Sequence, residues 1–429
     1  MNQNFIKMQN FLKQFFILAL TSLLLTSCAG TRAPVTCLAS INLIDADGVS
    51  ETISNDERLK TYDKVNFLAP QPYKKVLRVY KRNEQGMILA CLTSYHPNGE
   101  LKQYLEMVNG RAYGEYGAWY ENGTQKVRAR VIGGNGDFYD GVENTWLFDG
   151  ICEAFSNEGC LEAEIPYIKG KREGIAHYYH KNGRIWKEIP MCEDKINGLY
   201  QIFLDDGTLF EVSSYVEGRK EGNAFRYWKD GSIAFKELYE CDKLIEGSYF
   251  GIDGQPVSEI VSGNGYRAIF DKTSVQEFQE YRAGVQEGLV KVLGKGGVIT
   301  KTYGMKDGFK NGEEIEFYPN TNQPKFSIGW VEGKIQGVTK TWYPSGVQES
   351  QREMAGNKRS GVLTAWYANG KLMLLENYDQ DALVKGEYYN MGDQFSVSRV
   401  LCGDGTATLY DSNGVFMRKV KYRQGKPEW

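Results

Sequence analysis

Short runs of apolar and aromatic residues follow one another along most of this chain, each too brief for a helix of several turns and each closed by a glycine-bearing dipeptide. Residues of this kind, bounded in this way, predict β-strands joined by tight turns. The pattern repeats. Glu173-Gly174 opens a run through Tyr179 to Asn182-Gly183, Asn197-Gly198 opens one to Asp206-Gly207, and Glu221-Gly222 opens one to Asp230-Gly231. Gly174, Gly198 and Gly222 lie 24 residues apart, and Gly288, Gly312, Gly337, Gly361 and Gly386 continue the series at 24 or 25. Self-similarity held over more than two hundred residues is the mark of a repeat array rather than of separate globular domains.

Asn-Gly and Asp-Gly between two strand-like runs predict hairpins closed by type I′ turns, in which both central residues take positive φ. Four residues before the turn glycine stands an aromatic column, Tyr95, Trp119, Phe155, Tyr179, Phe203, Tyr227, Phe250, Trp342, Trp366 and Tyr410, with Leu293 as an aliphatic member. A fixed register places these side chains on one face at one height, where they are expected to stack between neighbouring hairpins. The predicted fold is all-β: an elongated single-layer antiparallel β-meander of repeated hairpins, about 25 to 28 strands at the usual strand spacing.

Three places break the period. An aperiodic insert occupies 133–150, and two short units run from Gly247 to Gly265 and from Gly386 to Gly405. Gly-Ser-Tyr-Phe at 247–250 resembles Gly-Glu-Tyr-Tyr at 386–389, and a shortened hairpin at such an interval is expected to bend or retwist the sheet, in preference to forming a binding notch.

Upstream of the array the pattern changes. Lys7 and Lys13 precede an apolar run, Phe15 to Leu25, too short to span a bilayer and suited to a signal-peptide core. The organisation expected is therefore a lipoprotein-type signal peptide at 1–27, a tether and non-repeat capping segment at 28–75, and the array at 76–429. The run ends in Leu25-Thr26-Ser27-Cys28, which resembles the bacterial lipobox. That resemblance implies lipidation of Cys28 and a membrane-anchored protein of the bacterial cell envelope, on the periplasmic or surface side. Several acyl chains, each buried CH₂ contributing about 0.8 kcal/mol, hold a protein at a membrane without a transmembrane helix.

Composition agrees with strands and turns: 48 Gly, 28 Tyr and 8 Trp stand against 11 Pro. With Lys7 and Lys13 removed, 49 basic residues face 54 acidic ones, a net charge of −5. A weakly acidic chain lacks the basic stripe that nucleic-acid binding needs.

The unit Tyr215-Val216-Glu217-Gly218-Arg219-Lys220-Glu221-Gly222, followed by Tyr227-Trp228, resembles the MORN-like variant repeat of proteins known as YwqK-type antitoxins. Val331-Glu332-Gly333-Lys334-Ile335-Gln336-Gly337 with Trp342-Tyr343 resembles it too. The resemblance covers about three quarters of the chain and implies a β-meander with a role in binding or membrane association, and no particular ligand.

Catalytic chemistry finds little purchase. His96 and His180 occupy the slot after the column aromatic that Trp228, Tyr343 and Tyr367 fill elsewhere, so they read as flat repeat residues rather than ligands. His177 and His180 fall on opposite faces of a strand, the wrong arrangement for a shared metal. Seven cysteines remain after Cys28: Cys37, Cys91, Cys152, Cys160, Cys192, Cys241 and Cys402. The expected register sets Cys152 opposite Ile165, roughly 16 Å from Cys160 and beyond disulfide reach. Asn135, Asp137, Asp140 and Glu143 lack the alternation of a calcium loop and read as a solvated turn. Gly263-Asn264-Gly265 imitates a dinucleotide loop without the βαβ unit that loop requires.

No catalytic residue, metal ligand or cofactor is therefore assigned, and the chain reads as a binding or scaffold protein. Its candidate surface is Trp119, Tyr120, Trp342, Tyr343, Trp366 and Tyr367, rings that either only hold the sheet together or are offered to an unidentified protein, glycan or lipid. An immunity protein of the antitoxin type is the alternative, and an enzyme with its site in the 133–150 insert ranks below both.

Overall fold

The computed structural model describes residues 36–71, 74–392 and 394–428, so the signal-peptide region and Cys28 lie outside the described residues. Among these residues it is an antiparallel β-meander of 36 strands, more than the 25 to 28 expected, with one short α-helix, Asp56–Lys60. The described residues divide into two compact units, one ending at Phe148 and one beginning at Asp149, each taken by itself below.

In the first unit, Thr36–Asp45 pairs with both Ser50–Ile53 and Lys74–Asn83, so part of the segment before the array is itself sheet. Asn55 caps the helix through its side-chain oxygen, and Leu59 on that helix joins Ile41, Ile53, Leu77, Val79, Tyr95 and Leu101 in a buried cluster. The insert folds back on the sheet as a plug. Trp146, 4% exposed, meets the Tyr116 ring edge-on at 4.7 Å and donates its indole N–H to Asn135 O at 2.8 Å.

In the second unit successive strands pair with their neighbours, beginning with Gly150–Phe155 against Leu161–Ile168. Cys152 lies opposite Ile165 as the sequence predicts, and Cys152 and Cys160 are both free thiols.

The two ends of each hairpin close differently, which corrects the turn expected at Asn-Gly. At His180–Arg184 only Gly183 has positive φ, and Arg184 N–H donates to the Asn182 side-chain oxygen at 3.0 Å. The same bond recurs at Asn98, Asn122, Asp206, Asp230, Asp253 and Asn369. Asn and Asp are selected here because the side chain imitates a backbone turn, not because they tolerate the left-handed region. A bulge sits beside each such turn, for example between Tyr178 and Tyr179, and so places the column aromatic at the bulge. True type I′ geometry occurs at the opposite end, where Glu217 (φ 51) and Gly218 (φ 84) join the paired residues Val216 and Arg219.

At the two short units the sheet curls on itself. In the first, Leu244 N–H donates to Gly284 O at 3.0 Å, Gly284 N–H to Gly263 O at 2.9 Å, and Gly263 N–H to Ile245 O at 2.8 Å, so three hairpin turns meet in a closed ring. Leu383, Gly425, Gly403 and Val384 repeat that ring with bonds of 3.0, 2.9 and 2.9 Å. Each curl encloses an apolar core, one built around Trp228, Leu244, Tyr249, Ile260 and Phe270, the other around Tyr378, Leu383, Tyr388, Val400 and Ala407. The bend expected of the short units is thus realised as a local roll, and it gives a meander interior residues.

Candidate functional site: the aromatic slots and the two curls

The slot after the column aromatic forms a ladder of bonds between repeats. His96 Nε2 reaches Trp119 O at 2.9 Å and His180 Nε2 reaches Phe203 O at 3.0 Å. Trp228 Nε1 donates to Phe250 O at 3.3 Å, Tyr318 hydroxyl to Trp342 O at 2.5 Å, Tyr343 hydroxyl to Trp366 O at 2.8 Å, and Tyr367 hydroxyl to Tyr389 O at 2.6 Å. The acceptor lies in the next unit, 22 to 24 positions on, and is the backbone of a column residue in every case but Tyr389. Histidine, tryptophan and tyrosine are interchangeable in this slot because each is flat and carries a donor at its tip. At the column, successive units are thus joined by a contact of slot side chain with backbone carbonyl. Ring contacts gather in the curls: Tyr249–Phe270–Trp228, with centroids 6.5 and 5.1 Å apart, in the first, and the column residue Tyr410 against Tyr367, 6.4 Å apart, at the second.

This ladder decides what the six candidate surface residues do. Trp119 packs against the N-terminal cluster, and Tyr120 lies half-buried beneath Lys126 Nζ, 5.5 Å from its ring. Tyr367 is fully buried in the second curl, where burial pushes its hydroxyl up to about 12. Trp342 is half-buried and gives the Tyr318 hydroxyl its acceptor. Tyr343 and Trp366 remain partly open and, with Arg352, Glu349 and Tyr410, line a groove of about 370 Å³. A second groove of about 560 Å³ is lined by Tyr303, Phe317 and the lysines Lys301, Lys310 and Lys325. Glu314 neutralises part of that charge, with Lys310 Nζ at 2.6 Å and Lys301 Nζ at 3.3 Å. Burial works to raise the Glu314 carboxyl, and these two ammonium groups outweigh it and hold it below the ordinary range.

Each curl also holds a buried carboxylate that sequence reasoning passed over. Glu237, with a side chain 0% exposed, accepts from Tyr239 hydroxyl at 2.7 Å on Oε2 and from Tyr249 hydroxyl at 2.8 Å on Oε1. Arg267 completes it as a fork, Nε to Oε1 at 2.6 Å and Nη2 to Oε2 at 3.1 Å. Burial opposes the charge on Glu237, but the guanidinium and the hydroxyl donors prevail, and its carboxyl lies below the ordinary range. In the second curl Glu376 Oε2 accepts from Tyr378 at 2.9 Å and Oε1 from Tyr388 at 2.6 Å. The available signal was the matched pairs Glu237, Tyr239 and Glu376, Tyr378, each preceding its short unit at the same distance.

The insert offers no comparable cluster. Arg78 Nη2 binds Asp137 Oδ1 at 2.5 Å, and Asn135 Nδ2 donates to Tyr139 hydroxyl at 2.7 Å. Among the described residues no three His, Cys, Asp or Glu side chains gather to hold a metal ion, and no helix is long and apolar enough to cross a membrane.

Residues 359–380, the hairpin that leads into the second curl, match the family described as MORN repeat variant. With repeated hairpins on either side, that match supports a MORN-like repeat protein. No curated protein matches the chain. Among solved structures, the Photorhabdus luminescens Tc holotoxin pore is similar at 11% identity over 92% of this chain and 26% of that one, with a TM-score of 0.14. The MORN-like chain thus spans about a quarter of that relative's length.

Proposed function

We infer that this MORN-like array is a binding or scaffold protein of the bacterial envelope, held to a membrane by lipid on Cys28, and that it works by recognition rather than catalysis. The observation that carries the binding role is the partly open aromatic groove at Tyr343 and Trp366, set on a sheet whose outer positions Ile151, Ile175 and Leu199 are 59%, 51% and 56% exposed at a spacing of 24 residues. Repeated exposed aliphatic side chains and aromatic grooves suit an extended partner that contacts several hairpins at once. The anchor rests on Leu25-Thr26-Ser27-Cys28 following its apolar run.

The decisive experiment pairs metabolic palmitate labelling of the chain and its Cys28→Ala variant with capture of partners from envelope extract. Label lost on substitution, together with a partner retained by the parent and lost from a Trp366→Ala variant, supports both halves of the reading. Label that survives removes the anchor, and no retained protein, glycan or lipid removes the binding role. An immunity protein against a toxin acting in the envelope is a second reading, suggested by the resemblance of Tyr215–Gly222 to YwqK-type repeats together with the lipobox-like Leu25-Thr26-Ser27-Cys28. Unchanged toxin survival in a deletion strain would exclude it.

A further inference from the structure

The two curls are internal copies of one another, and they differ at one position that matters chemically. Register fixes the equivalence. Gly265 lies opposite Tyr281 and Gly405 opposite Tyr422; two residues on, Arg267 lies opposite Gln279 and Ala407 opposite Val420. The carboxylates are equivalent as well, since Glu237 pairs with Gly247 and Glu376 with Gly386, the glycines that open the two short units.

In the first curl each carboxylate oxygen takes one tyrosine hydroxyl and one guanidinium N–H. In the second, each oxygen of Glu376 takes its tyrosine hydroxyl and nothing else among the described residues. Each oxygen therefore has one described donor where the equivalent oxygen of Glu237 has two, the second being the planar fork. The cation over Tyr378 does not supply that second donor: Arg359, with Cζ 4.2 Å from that ring, is bonded through Nε to Asp381 Oδ1 at 3.2 Å. Glu376 is only 7% exposed, so its carboxylate is largely withdrawn from water and lacks the counter-charge its twin possesses.

We propose that the second curl is a receptor for an alkylguanidinium group, the chemistry of an arginine side chain, which binds Glu376 as Arg267 binds Glu237. A planar fork of donors supplies one further bond to each oxygen in a way a single ammonium does not. The Arg267 side chain is 21% exposed, so the position its guanidinium occupies in the first curl reaches the surface. Ala407 itself is 1% exposed, and Val420 and Tyr422 pack against its cluster; Tyr422, half-buried near the end of the array, is the side chain that must swing to admit the ligand.

The test is calorimetric titration of the full chain with n-propylguanidinium chloride, with n-propylammonium chloride and sodium chloride as controls. Saturable binding of one guanidinium per chain is expected, absent with the ammonium salt. Ala407→Arg supplies the group from within and lowers that affinity roughly tenfold or more. Arg267→Ala empties the first curl and raises the stoichiometry to two, a gain no unfolded variant can give. Free L-arginine and a blocked glycyl-arginyl-glycine peptide distinguish the source: peptide binding alone indicates a protein-borne arginine, and binding of both indicates that the free amino acid also serves. Absence of saturable binding to the parent chain, or equal affinity in a folded Ala407→Arg variant, overturns the proposal.

Discussion

Glu237 shows how a single carboxylate is made tolerable inside a sheet protein. Four donors meet its two oxygens, and the charge of Arg267 answers its own. Removal of the guanidinium strands a buried charge, which in proteins costs about 3–5 kcal/mol. Arg267→Ala is accordingly expected to destabilise the first curl by that amount in denaturant unfolding, with Glu237→Gln in the same background recovering part of the loss. The pH dependence follows from the direction of the shift. Because the Glu237 carboxyl lies below its ordinary value in the folded chain, its contribution is complete above the ordinary glutamate range. It is lost as pH falls through the depressed value. Acid unfolding monitored at this curl should be steep in the parent and flatter in a Glu237→Gln chain; equal slopes would mean that the pair does not govern acid stability.

At the scale of the hairpin, glycines that look alike in sequence do different work. Gly183 has φ +79 and nothing within 4 Å of where a Cβ would stand, so alanine there meets only the strain of the left-handed region, about 1–2 kcal/mol. Gly405 has φ +145, and a Cβ would lie 2.3 Å from the backbone oxygen of Arg399, which is held in the strand Ser396–Leu401 paired with Ala382–Tyr389. Gly405→Ala should therefore lower the melting temperature of the second curl far more than Gly183→Ala lowers that of its own hairpin, and comparable shifts would show that the close approach is relieved elsewhere. The repeat, the strand pattern and the Cys152–Ile165 pairing were legible in the chain because the glycine period and the apolar runs are local, whereas the turn type was not, since Asn182 acts by accepting from the backbone two residues on. The rings of turns and the Glu237 and Glu376 sites were not, because they join residues such as Leu244 and Gly284 that no period links. The aromatic slot stood between these cases: its occupants were visible, but their shared property is a donor aimed at the next unit's carbonyl, and spacing alone does not reveal direction.

Over the second unit as a whole, most contacts join a strand to its immediate neighbours, so stability is expected to be a sum of local terms rather than one global quantity. The two curls are the exceptions that make this measurable. Each ties three turns together through backbone N–H groups, those of Leu244, Gly263 and Gly284 in one and of Leu383, Gly403 and Gly425 in the other, and each such amide reports the opening of its own ring. In native-state hydrogen exchange, Arg267→Ala should speed exchange at the first three amides and leave the second three unchanged; Gly405→Ala should do the reverse. Thermal unfolding of either variant should then broaden or split, since a single two-state transition does not describe an array whose parts melt separately. If both variants instead accelerate all six amides alike, the unit unfolds as one cooperative body, and the curls are braces of a common structure rather than independent rolls within a meander.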